Sequence, residues 1–226
     1  MKANLVNMLA IFLGCGLGSL VSQRLDKKLQ DFLMTAMGLV VFFLGIQMSL
    51  ETKNTLLVIL SLVLGGALGT QLRIEDNLYR LGDRLEKKWT KSGKSNFASG
   101  FINASLLFCI GSMSIVGSLQ AGLQGDYSIL YAKAILDGTI ALVLVNTLGP
   151  GVYGSLISVG IYQGAIVLFS RSIRSLLTGQ ALGDLTGLGG ILIMAIGLNL
   201  LEIKKIKVGD MLPGLVLVVL YYLLIA

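Results

Sequence analysis

Apolar residues run along this chain in long blocks, and polar residues gather in short gaps between them. A helix needs about 20 mostly apolar residues to cross ~30 Å of hydrocarbon. Eight blocks approach that length, at residues 5–21, 32–50, 55–72, 97–119, 129–148, 152–170, 185–201 and 211–226. The second, third and eighth are the cleanest, whereas the fourth, fifth and sixth carry Ser, Asn, Lys, Asp and Gln inside the apolar run. The pattern predicts an all-α fold: a polytopic membrane helix bundle of about eight spans in a single transmembrane domain, 1–226. Pro150 and Pro213, the two prolines, fall at predicted helix starts, where a missing N–H is harmless.

Composition narrows the class. Of 226 residues, 54% are hydrophobic and 13% charged, against roughly 25% charged in soluble domains. A soluble fold would lack the polar surface to cover its core, so soluble, disordered and collagen-like chains are excluded. Histidine is absent, which removes the commonest general base and the commonest zinc ligand. Cys15 and Cys109 both lie in apolar runs and form neither a disulfide framework nor a metal-binding spacing. We therefore expect no metal and no cofactor. The 29 glycines are too many for plain lipid-facing helices and point to close backbone packing or broken helices. The start, Lys2 before an apolar run with Leu13-Gly14-Cys15 inside it, faintly resembles a signal segment, but no small-x-small cleavage site follows, and we read it as the first span.

Charge sets the expected orientation. Thirteen Lys and Arg fall in the gaps at 24–28, 73–94 and 204–207, against four on the other side, Lys2, Lys53, Arg171 and Arg174. The richer side should be cytoplasmic, which places both termini outside and makes 74–96 a cytoplasmic loop. The net charge of +6 is then a topology signal and not a nucleic-acid footprint. The stretch 73–94 is a solvated helix or a contact for anionic lipid heads.

An internal similarity joins the ends of the chain. Gly38-Leu-Val-Val-Phe-Phe-Leu-Gly45-Ile46-Gln47 matches Gly190-Ile-Leu-Ile-Met-Ala-Ile-Gly197-Leu198-Asn199 at an offset of 152. Gly14-x-x-x-Gly18 in the first span is echoed by Gly160-x-x-x-Gly164 in the sixth. Spans 1–3 (repeat one, 1–73) would then correspond to spans 6–8 (repeat two, 149–226), five helices on. An odd offset inverts one copy in the membrane, which is a common construction of secondary transporters. Small-residue pairs are also ordinary packing devices.

Most polar chemistry lies between the copies, in the central spans 97–148. Ser112, Ser114 and Ser118 cluster with Gly111 and Gly117 in the fourth span; Ser114 and Ser118 share one helical face, and the glycines make a break cheap. A broken helix frees backbone groups that survive only beside a cavity or other protein. Back-bonded serines and glycines at a helix contact explain the same cluster. Lys133 and Asp137 stand at i, i+4 in the fifth span, followed by Gly138. A lone charge in lipid costs roughly 2.5–3.5 kcal/mol on insertion scales, so the two either neutralise each other structurally or face a polar site, with Asp137 binding a cation or proton and Lys133 an anionic group. Gln163 in the sixth span, and Gln47 and Asn199 at matching repeat positions, complete the candidates for a substrate or ion site.

Taken together, the run Leu107 to Gln120, then Gly125-Asp126, Lys133, Leu136-Asp137-Gly138, Gly149 to Val152 and Gln163-Gly164, with Asn4-Leu-Val-Asn7 and Gly14 to Gly18 at the start, resembles the YqgA/YdfK-like family of bacterial integral membrane proteins. The resemblance covers nearly the whole chain and implies a plasma-membrane protein of seven or eight spans. It assigns no activity. Ala121 departs from it, where an acid is expected.

Three functions compete. A secondary transporter or permease for a small solute or ion fits the odd-offset repeat and the polar centre. A non-transporting scaffold or accessory subunit explains the glycine-rich packing. A membrane-embedded enzyme is the weakest, with no His and no G-x-S-x-G elbow, and we expect none. The expected partners are the lipid bilayer and a small solute or ion, with room for a homo-oligomer and none for nucleic acid.

Overall fold

The computed structural model describes residues 2–22, 27–80, 97–109, 112–170 and 179–225. Helices α1 (Lys2–Ser22), α2 (Lys27–Ser49), α3 (Thr55–Leu72), α4 (Phe97–Cys109), α5 (Ser112–Leu123), α6 (Ser128–Leu148), α7 (Gly151–Leu168) and α8 (Gly179–Leu200) follow the apolar blocks, and a 3₁₀ turn (Gly209–Met211) leads into α9 (Pro213–Ile225). Residues 74–80 are also helical, and no strand occurs among the described residues. Pro150 and Pro213 stand at the starts of α7 and α9, as their fixed φ favours.

Where their residues are described, all eight apolar blocks are largely helical. Among the described residues, five helices, α1, α3, α6, α7 and α8, are long and apolar enough to cross a membrane. The sixth candidate is a bent pair, α4 with Met113–Leu123 of α5, inclined by 58°. In the other two blocks, the apolar helical stretches among the described residues are Met34–Ser49 and Gly209–Leu224. The break expected at Gly111 falls outside the described residues, as does most of the basic stretch 73–94. Helix α6 runs unbroken through Asp137 and Gly138.

The helices form two compact units. The first holds α1, α2 as far as Met37, α4, α5 from Met113, α6 and α7. Helices α1 and α6 run parallel, with Gly14 against the backbone of Gly138 and Gly18 against Leu142. A Cβ on either α1 glycine would collide with a carbonyl oxygen, so only glycine permits this approach. Helices α4 and α7 are also parallel: Gly151 packs on Phe97, Gly154 on Phe101, and Ser105 Oγ donates to Ser158 Oγ at 2.9 Å. Helix α7 is antiparallel to α1, as Asn4 Nδ2 donates to Gly160 O at 3.0 Å while the rings of Phe12 and Tyr153 lie 6.0 Å apart.

The second unit holds α2 from Gly38, α3, α8, the 3₁₀ turn and α9. Its core gathers Val58, Leu185, Leu188 and Val218. Helices α2 and α8 are antiparallel, and their glycine contacts exchange under the offset of 152: Gly45 lies on Met194 as Gly197 lies on Phe42, and Gly190 on Ser49 as Gly38 on Leu201. Two buried carboxylates brace the ends of α3. At its start, Asp184 Oδ1 accepts from the backbone N–H groups of Lys53 and Asn54, both at 2.7 Å, and Asp184 Oδ2 accepts from Tyr222 Oη at 2.6 Å. Beyond its end, Asp210 Oδ1 accepts from Glu75 N, and Glu75 Oε2 accepts from Gly209 N, both at 2.9 Å.

Candidate functional site

The polar cluster of the first unit is assembled from four helices. On α1, Asn4, Asn7, Ile11, Gly14 and Gly18 recur at helical spacing, and this face is buried. The glycines let α1 lie on α6, which brings Asn7 to Asp137. On α6 the buried face includes Leu130, Lys133, Ala134, Asp137 and Ala141.

Lys133 Nζ donates to both carboxylate oxygens of Asp137, at 2.7 and 2.6 Å. The two residues are 6% and 4% exposed, so the ion pair is buried inside the helix bundle. Asn7 Nδ2 donates to Asp137 Oδ2 at 3.0 Å and to Gln163 Oε1 at 3.3 Å. Gln163 Nε2 in turn donates to Ser114 Oγ at 3.2 Å. The result is one continuous chain, Lys133–Asp137–Asn7–Gln163–Ser114, across α6, α1, α7 and α5. Asn7, Gln163 and Ser114 are fully buried.

Desolvating two charges costs several kcal/mol per ion, and their attraction repays this only with additional hydrogen bonds. Asn7 supplies one such bond. The pair is therefore poor evidence for stability, and an ionisable pair inside a membrane protein points first to function. Chemically, the carboxylate can hold a proton or a cation, the ammonium an anion, and the two amides can either donate or accept. No group of three or more acidic, Cys or His side chains that could hold a metal occurs among the described residues.

Ser114, Lys133, Asp137 and Gln163 thus come together in one chain. Ser118 is buried on α5, its Oγ unpartnered among the described residues. Ser112 opens α5, and its side chain lies outside the described part. Gln47 and Asn199 belong to the second unit and do not form the symmetric amide pair that their matching positions suggested. Gln47 is exposed. Asn199 is committed to its own helix end: Nδ2 donates to Ile206 O at 2.9 Å, and Oδ1 accepts from Ile206 N at 2.7 Å. Asp126 closes the α5–α6 loop, where Ser128 N–H donates to its Oδ1 at 2.9 Å and holds the carboxyl below its usual range.

Asn7, the bridge between the ion pair and Gln163, did not stand out from the apolar pattern as a site residue. Its signal was the spacing of Asn4 and Asn7 with Ile11, Gly14 and Gly18, which puts the two amides on the small-residue face of α1.

Three comparisons with known proteins bear on this arrangement. The family model described as a protein of unknown function, DUF554, matches residues 2–223. The chain is 37% identical over 221 residues to the uncharacterized membrane protein YdfK of Bacillus subtilis (strain 168), covering 96% of this chain and 93% of that protein. It is 30% identical over 216 residues to the uncharacterized protein YqgA of Escherichia coli (strain K12), covering 94% and 92%. No solved structure matches the chain.

Proposed function

This chain belongs to the DUF554 family, with a membrane protein among its relatives, and on that premise we propose that it is a secondary transporter or permease moving a small solute or ion across the bacterial plasma membrane. The observation that carries the reading is the chain Lys133–Asp137–Asn7–Gln163–Ser114, a buried run of polar side chains from four apolar helices. Inert packing has no need of two charges in that position.

Two further features support the reading. The reciprocal glycine contacts of α2 and α8 fit an antiparallel repeat, and inverted repeats give two conformations that open to opposite sides. Phe97–Cys109 and Met113–Leu123 are inclined by 58°, with Ser114 in the first turn of the second, and inclined helix pairs of this kind commonly carry binding sites. The excess of Lys and Arg at 24–28, 73–94 and 204–207 favours a cytoplasmic position for these segments and outer termini. The protein performs no covalent chemistry in this reading.

Alternating access is testable before any substrate is known. In a Cys15→Ala, Cys109→Ala background, Ser114→Cys introduces a thiol at a fully buried position. A membrane-impermeant thiol reagent should label it in both right-side-out and inside-out vesicles, as each conformation opens in turn. Labelling from neither side of a folded protein would favour the non-transporting scaffold, and labelling from one side alone would rule out alternation.

A further inference from the structure

The buried cluster holds more acceptor oxygens than donors to fill them. Asn7 spends both N–H groups, on Asp137 and Gln163, yet its Oδ1 has no partner among the described residues. Asn4, one turn away on α1, donates to Gly160 O, and its Oδ1 is likewise unmatched there. The Oγ of Ser118 is a third such oxygen, and all three residues are at most 3% exposed. Ser118 lies between Ser114, which meets Gln163, and Ala121, which packs with Ala3 and Leu130. By its place on α5 it therefore falls between the levels of Gln163 and of Ala3 and Leu130. A buried oxygen left unpaired costs about 1–3 kcal/mol, and each one calls for a physical reason.

A carboxylate, two amide carbonyls and a hydroxyl make a set of hard oxygen donors. The positive charge held by the carboxylate is the Lys133 ammonium, a compact ion on a flexible four-carbon stem. With Lys133 in place the cluster is neutral. It would be equally neutral with a free monovalent cation on Asp137 and the lysine stem withdrawn along α6. We propose that Asp137, Asn7, Asn4 and Ser118 form a binding site for one small monovalent cation, alkali or primary ammonium, and that the Lys133 ammonium is its tethered competitor.

The proposal takes its location from the transporter reading but is tested by binding. It can therefore fail while alternating access holds, and the reverse. Lys133→Met keeps the apolar stem and removes the charge. The purified full-length variant is unfolded thermally in choline chloride, sodium chloride, potassium chloride or methylammonium chloride at constant ionic strength. At least one small cation should raise its midpoint saturably above that in choline, by about 5 °C. The double variant Lys133→Met, Asp137→Asn should show no such difference.

Equal midpoints of Lys133→Met in all four salts would overturn the site and leave water as the partner of those oxygens. So would a single variant that folds in none of the salts while the double variant folds. Should neither variant fold, wild-type protein decides. Acetylation of Lys133 by acetic anhydride in sodium, potassium or choline chloride, followed by mass spectrometry, should be faster in sodium or potassium than in choline, because a competing cation frees the amine. Identical rates in these three salts would overturn the proposal.

Discussion

Gly14 and Gly138 meet backbone to backbone where α1 crosses α6, at the residue that follows Asp137. The contact sets how far Asn7 reaches across the crossing. A side chain at position 14 would collide with the carbonyl of Gly138 and push the helices apart. Gly14→Val should lower stability by about 1–3 kcal/mol, as overpacking does. A Cβ placed on Gly16 would meet no atom within 4 Å, so Gly16→Ala should leave the midpoint unchanged. Thermal unfolding of the two variants in detergent checks the contrast.

Removing the bridging amide should be felt on both sides of it. Asn7→Ala takes a donor from Asp137 and from Gln163, both buried. The expected loss is about 1–3 kcal/mol. Asn103 donates to Ser99 Oγ, one turn back on its own helix, and Asn103→Ala should cost less. A midpoint for Asn7→Ala no lower than that of Asn103→Ala would show that the bridge adds nothing to the fold.

Asp184 is buried and is held by three neutral donors. Asp184→Ala strands the N–H groups of Lys53 and Asn54 at the start of α3. It should destabilise the protein by about 2–4 kcal/mol, and Tyr222→Phe by about 1 kcal/mol, because it removes one of the three. Hydrogen exchange localised to residues 53–57 should rise in the first variant more than in the second.

The linkage of Glu75 to pH has a definite sign. Burial, the largest influence, raises its carboxyl above the usual 4.5, against the Gly209 N–H that it accepts. The folded protein therefore takes up this proton at a higher pH than the unfolded chain does. Glu75 weakens the fold at neutral pH, and the penalty is relieved as pH falls through the raised value towards 4.5. Glu75→Gln keeps the acceptor and removes the charge. The stability advantage of the variant over wild type should therefore shrink as the pH is lowered from 7 to 4.5; an advantage that holds constant would contradict the linkage.

Helix positions were legible because unbroken apolar blocks admit little else in a membrane. The Lys133–Asp137 pair was legible because an i, i+4 spacing puts both charges on one face. Gln47 and Asn199 matched by offset, yet the loop after α8 needs its backbone satisfied at Ile206, and Asn199 is the amide that meets it. Asn7 stayed hidden because an amide in an apolar run gives no sign of its partner when that partner is 130 residues away.

That separation also has a bearing on how the protein is made. Ribosomes add ~5–20 residues per second, so ~130 residues of synthesis separate the emergence of Asn7 from that of Asp137 by roughly 7–26 seconds. Throughout that interval α1 waits in or beside the bilayer with two amides and no partner for them. Lys133 and Asp137 emerge within a second of each other at that rate and can enter as a self-neutralised pair. The first helix is thus the component most exposed to misassembly during biogenesis, and the sixth arrives ready to dock.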